Sequence, residues 1–163
     1  TTLKVYSMFR LLTVRRGRKL AIALMCPLVA DSRRKMPWLD GTAWGDPYVQ
    51  GFIATAITLI LARASGKISS NLIGNVQIST WRAITGLDGE VFGENVCLYS
   101  TERNPLFDDG CKNAMRFIRQ LDHDDPAWPA YQGGAVPAHT QATLRRHWEQ
   151  YVETYVRGRL GAS

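Results

Sequence analysis

The chain has 163 residues, 45% hydrophobic and 21% charged, with a formal net charge of +6. Those are values of a folded globular chain, not a disordered one, and the length suits a single domain spanning residues 1–163 around one hydrophobic core. The charge is uneven. Residues 1–35 hold nine cations against Asp31 alone, a net +8, which leaves about −2 for the remainder. A basic N-terminus points to nucleic acid, anionic lipid or an export machinery as partner. Arginine outnumbers lysine 15 to 5, as GC-rich coding would give, and that is the alternative account of the basic character.

Residues 3–30 admit two readings. Lys4, Arg10 and the cluster Arg15-Arg16-Gly17-Arg18-Lys19 precede an uncharged run of 11 residues, LAIALMCPLVA, at 20–30. A basic segment, an apolar run and a small residue at its end form the layout of an export signal. On that reading the mature protein begins near Asp31 and is exported to the periplasm. The other reading is a retained, cytoplasmic core element: helices over 4–15 and 18–30, joined at Gly17, with Pro27 bending or ending the second. Residues 31–45 read as a connector broken by Pro37, Asp40, Gly41 and Gly45, with Arg33, Arg34 and Lys35 on its surface and Trp38 and Trp44 as lids over the core.

The stretch 46–65, DPYVQGFIATAITLILARAS, is the centre of the predicted fold. Asp46 suits an N-cap and Pro47 the first helical position. Phe52, Ile53, Ala56, Ile57, Ile60 and Leu61 recur at helical spacing, and Ala54 and Leu59 make the opposite side apolar too. A helix apolar nearly all round is buried all round. It is short for a bilayer, which takes about 20 apolar residues. Gly66 suits its end.

The helical pattern continues beyond it. Ser69-Ser70-Asn71 starts a helix that Gly86 ends. Residues 91–100 fit helix or strand, and helix is favoured because no second strand is evident. Asn104-Pro105 marks a turn, and Asp108 or Asp109 caps a helix over 110–121. Residues 122–137 form a loop. The last helix, 138–159, places Leu144, Trp148, Tyr151, Val152 and Tyr155 on one stripe and Arg145, Arg146, Glu149, Glu153 and Arg157 on the wet face. The expected fold is all-α, with five to six helices packed around a central buried helix at about 46–65.

Catalytic and metal motifs are sparse. Gly66-Lys67 lacks the earlier glycine and the preceding strand of a phosphate-binding loop, and there is no G-x-S-x-G elbow. Asp122-His123-Asp124-Asp125 is the densest ligand cluster, but it lacks the spacing of a calcium loop and reads as a solvated acidic turn. His139 and His147 are not an i,i+4 zinc pair. A helix-turn-helix around 69–86 would present Asn75, Gln77, Ser79 and Arg82, too little charge to anchor phosphates. No cofactor is implied, and nucleic acid is disfavoured. The candidate patch for an anionic partner is Arg15, Arg16, Arg18, Lys19, Arg33, Arg34 and Lys35.

The three cysteines bear on compartment. If the N-terminal run is removed, Cys97 and Cys111 remain, and a bridge between them closes a loop of about 15 residues, worth about 3 kcal/mol in the chain-entropy model. If it stays, Cys26–Cys97 is the alternative. In a cytoplasmic protein all three are small buried hydrophobes. Cys97, flanked by Val96, Leu98 and Tyr99, is expected to be buried either way.

Pro47-x-x-x-Gly51-Phe52 on a helix, then Val96-Cys97, a polar turn, Phe107 and an amphipathic helix, resembles the small helical periplasmic proteins of the HdeA type over residues 46–121. Gly51, Phe52 and Cys97 carry the match. The resemblance implies an all-helical, exported, non-enzymatic protein with one disulfide, in a family whose best-known members are acid-stress chaperones. The longer cysteine spacing, the long C-terminal helix and the basic N-terminus depart from that pattern. The functional expectation is a non-enzymatic helical binding or stress-response module acting on a protein partner or a second copy. The alternatives are an exported chaperone-like protein, a nucleic-acid binder using the basic N-terminus, and an enzyme or metal site around Asp122, His123 and Asp124.

Overall fold

The computed structural model describes residues 2–39, 41–66, 68–131 and 136–161, with side chains from residue 12 onward. Asp40, Lys67, Gly133 and Gly134, and the side chains of Lys4 and Arg10, lie outside the described residues. Helix α1 (Thr2–Lys35) comes first, then the single turn α2 (Gly41–Trp44), α3 (Pro47–Ser65), α4 (Ser70–Thr85), α5 (Gly89–Thr101) and α6 (Pro105–Asp124). A 3₁₀ turn (Trp128–Ala130) precedes α7 (Ala138–Trp148), which passes through a π turn (Glu149–Glu153) into α8 (Thr154–Leu160) without a break. Among the described residues there is no strand, and the fold is all-α.

Helix α3 is the centre. The Asp46 carboxylate accepts from the backbone N–H groups of Tyr48 and Val49 at 2.9 and 3.4 Å, so the first turn is capped as expected. Eleven of its residues are buried, including Phe52, Ile53, Ile57, Ile60 and Leu61. By length and composition α3 suffices to cross a membrane, but those side chains are spent on other helices. Its most extensive partner is α6, then α1. The α3–α6 approach is set by Gly51 and Gly110. A Cβ on Gly51 would fall well inside contact distance of the Phe107 carbonyl, and one on Gly110 inside that of Tyr48. Phe52 then meets Phe117 and Trp148 edge to face, at 5.4 and 5.8 Å between ring centres.

The N-terminal segment departs from the two-helix expectation. It is one helix of 34 residues, not two joined at Gly17, and Pro27 lies inside it. Gly17 is a crossing point: a Cβ there would stand 2.7 Å from Ser65 Oγ and 2.9 Å from the Leu61 side chain. Leu20, Ala21, Leu24, Met25, Leu28 and Val29, the apolar run, are buried in the core.

Three local expectations are corrected. Helix α6 starts at Pro105, because Asn104 accepts from the N–H groups of Leu106 and Phe107 at 3.0 and 3.2 Å. Asn-Pro thus serves as cap and first helical residue, and Asp108 lies in the first turn. Trp44 is buried, but Trp38 is 44% exposed and covers little. Glu153, assigned to the wet face, is 1% exposed. The π turn adds a residue to one turn, which rotates the remainder of the helix by about 100°. Glu153 then accepts from Ser32 Oγ at 2.8 Å and pairs with Lys35 and Arg157, both at 3.1 Å. Ser32 in turn accepts from Trp148 Nε1 at 2.8 Å. A buried carboxylate held this way is fully satisfied and ties α1 to the C-terminal helix.

Candidate functional site

The basic residues singled out in the sequence do not form one surface. Arg16 donates to the Ala130 carbonyl at 3.0 Å, and Arg18 to Ser79 Oγ at 2.9 Å, fastening α1 to α4. Arg33 donates to the Thr85 carbonyl and lies 5.5 Å over the Trp44 ring. Arg34 pairs with Asp31, and Lys35 with Glu153. Among the described residues, only Arg15 and Lys19 of the seven make no ion pair or hydrogen bond. They are separated from Arg33 by about 21 Å or more of helix at 1.5 Å per residue. The patch is largely structural mortar, which charge counting along a sequence does not reveal.

The acidic stretch is solvent-facing at His123 and Asp124, yet its carboxylates are also tied into the fold. Asp122 accepts from Trp128 Nε1 and pairs with Arg63, both at 2.9 Å. Asp124 takes His147 Nε2 at 2.9 Å, His123 Nδ1 at 3.1 Å and Arg146 at 3.2 Å. Asp125, 6% exposed, accepts from the hydroxyls of Tyr131 and Thr140, and His139 stands 3.7 Å away. These contacts tie the end of α6 to the 3₁₀ turn and α7. Hydrogen bonds from His147 and then His123 hold the Asp124 carboxyl below its usual range. Among the described residues, no group of three or more His, Cys, Asp and Glu side chains is arranged to hold a metal ion.

All three cysteines are free. Cys111 faces α3, its Sγ 3.5 Å from the Gly51 carbonyl, and burial pushes its thiol up. Cys26 packs partly against the core. Cys97 is exposed, against expectation, because α5 turns only Gly89 and Phe92 fully inward. It faces α4 while Cys111 faces α3, so neither predicted bridge forms.

What the structure assembles instead is a groove between α4 and α5, about 520 Å³ in volume. Gly74, Gln77 and Ile78 line it from α4, and Glu90, Gly93, Glu94, Val96 and Cys97 from α5. Gly93 lets the helices close, since a Cβ there would stand 2.9 Å from the Ile78 side chain. Trp81 and Phe92 stack at 4.2 Å with planes 5° apart and lock α4 to α5. Gln77 is pinned, its amide donating to Thr58 Oγ1 at 2.8 Å and the Ala54 carbonyl at 3.1 Å. Also on α5, Val91 and Leu98 are 53% and 50% exposed. An apolar wall with carboxylates at its rim is a surface suited to binding.

Comparison with protein-family models, curated proteins and solved structures finds no match to this chain. Sequence reasoning passed over this groove, since concavity arises only when two helices pack. Two signals were nonetheless present: the Gly89-x-x-x-Gly93 spacing, and four acids without a base over residues 88–102.

Proposed function

We propose that the chain is a non-enzymatic helical binding module that takes an apolar, helical segment of a partner protein along the α4–α5 groove. The observation that carries this reading is the groove itself, with Val91 and Leu98 exposed on a helix that buries so little of its own surface. Helix-in-groove recognition uses such a concavity for anchors at helical spacing. The test is titration of a fluorescein-labelled 16-residue model peptide with a leucine stripe and glutamine elsewhere, read by anisotropy. Gly74→Leu supplies the control. A Cβ at Gly74 meets nothing within 4 Å, so the new side chain occupies the groove without displacing the fold. Saturable binding lost in Gly74→Leu supports the reading. Absence of saturable binding, or binding that Gly74→Leu leaves unchanged, overturns it.

A second reading, an acid-responsive chaperone, rests on the resemblance and on the Asp122–Asp125 tether. Protonating Asp124, whose carboxyl His147 and then His123 hold below its usual range, weakens one of the contacts between α6 and α7, and loosening there would uncover apolar surface. Suppression of a client protein's aggregation at acid pH, with none at neutral pH, is its expected signature. Equal suppression at both, or none, counts against it.

A further inference from the structure

We propose that the partner segment for the α4–α5 groove is basic: a helix with lysine or arginine flanking its apolar anchors. This deepens the groove reading and rests on it. Among the described residues, five carboxylates have no cation within 4 Å. Asp108 is one, and the other four are Asp88, Glu90, Glu94 and Glu102, on or flanking α5. The remaining described acids are each answered. Asp31 has Arg34 and Arg145, Asp46 has Arg159, and Asp109 has Lys112. Asp122 and Asp124 meet arginines, and Asp125 meets His139. Glu149 and Glu153 share Arg157.

A chain of net charge +6 therefore leaves four acids without a cation on or flanking one helix, and two of them, Glu90 and Glu94, line the groove itself. Glu90 and Glu94 are spaced i,i+4, so their carboxylates stand on one face. Val91 and Leu98, i and i+7, lie beside that face. An apolar seam edged by carboxylates complements an apolar seam edged by ammonium or guanidinium groups. The same acids repel anionic membranes and nucleic acid.

The whole-molecule charge makes the inference discriminating. A field set by the net charge of +6 attracts acidic peptides over basic ones. A preference for basic peptides must come from these local acids. With exposed pairs each worth a modest fraction of a tenfold change, the groove carboxylates together give about a tenfold preference at low salt. That preference fades at about 1 M salt, where the screening length is about 3 Å.

The experiment uses the full chain and three fluorescein-labelled helical peptides. They share one leucine stripe and carry lysine, glutamine or glutamate at the flanking positions. Affinity in the order lysine, glutamine, glutamate supports the inference when Glu90→Gln with Glu94→Gln abolishes the order while the glutamine peptide still binds saturably. Equal affinities, an inverted order, or a lysine preference indifferent to the double variant overturns the inference. Each of these leaves the groove reading intact if Gly74→Leu still blocks the glutamine peptide. Failure of all three peptides to bind, or binding indifferent to Gly74→Leu, overturns the groove reading and this inference together.

Discussion

Two acidic stretches have opposite fates. Asp122, Asp124 and Asp125 are each met by two or more donors and join α6, the 3₁₀ turn and α7. Asp88, Glu90, Glu94 and Glu102 meet no cation among the described residues. The difference lies in what the chain does next. After Asp125 it folds back across its own acids and brings Trp128, Tyr131, Thr140 and His147 to them. After Glu102 it turns through Arg103, a non-glycine residue at φ 51°, and leaves α5 behind at the edge. Carboxylates of the first kind hold the molecule together. Of the second kind, Asp88 caps α5 by accepting from the N–H groups of Glu90 and Val91, whereas Glu90, Glu94 and Glu102 answer no cation, which is the feature the proposed partner would use.

The comparison breaks most visibly at Asp125. Replacing it with alanine removes the acceptor for Thr140, which is fully buried, and for Tyr131. A buried hydroxyl left unsatisfied costs about 1–3 kcal/mol, so Asp125→Ala is expected to lose about 2–3 kcal/mol, or about 5–10 °C in Tm. Calorimetry of the variant checks this. A shift under about 1 °C means the tether is decorative.

Asp124 sharpens the same point through pH. Its folded pKa lies below the ordinary carboxylate value, with His147 the first cause. Folding is then favoured by its ionised form. The contribution is fully present above the unfolded value of about 4 and is lost as pH falls through the lowered folded value. Asp124→Asn is expected to be less stable than the parent at neutral pH, by a margin that shrinks toward zero in acid. Urea midpoints across a pH series measure it. A margin that does not change on acidification would sink the assignment.

The thiols report on the two regions separately. Cys111 on α6 is partly buried with a raised pKa, whereas Cys97 on α5 is open to solvent. The thiolate is the reactive form, and it must be reached by the reagent. Cys97 is therefore expected to be alkylated faster than Cys111 in the native protein, and denaturant without reductant should expose three titratable thiols. Peptide mapping after a short pulse decides the order. Fewer than three thiols would restore a disulfide.

Much of this architecture is legible from the residues. The all-α class, the capped and buried α3, its end at Gly66 and the helical reading of residues 91–100 derive from apolar spacing and cap chemistry, which are local. What was not legible depends on neighbours remote in sequence. Arg16, Arg18 and Arg33 look like a partner's landing site until Ala130, Ser79 and Thr85 arrive to accept from them. Glu153 keeps to the wet periodicity until a π turn rotates it inward to Ser32 and Lys35. Cys97 has apolar neighbours in sequence, yet its helix is only lightly packed. The groove has no sequence period at all, because it is the space two helices enclose.

The smallest expected effect is the one the proposal depends on. Glu90 lies in the first turn of α5, where the helix dipole favours an acid by about 0.3–1 kcal/mol. Glu94 stands one turn later, and like charges at i,i+4 cost about 0.2–0.5 kcal/mol. Glutamine at both positions removes a small gain and a small penalty together. The double variant is therefore expected to match the parent within about 0.5 kcal/mol, as surface substitutions generally do. Thermal melts in low and high salt measure it. A loss beyond about 1 kcal/mol would mean that these carboxylates support the fold through some contact, and the contrast with Asp125 would fail. A match within error, with the peptide preference abolished, would separate their role in binding from any role in stability.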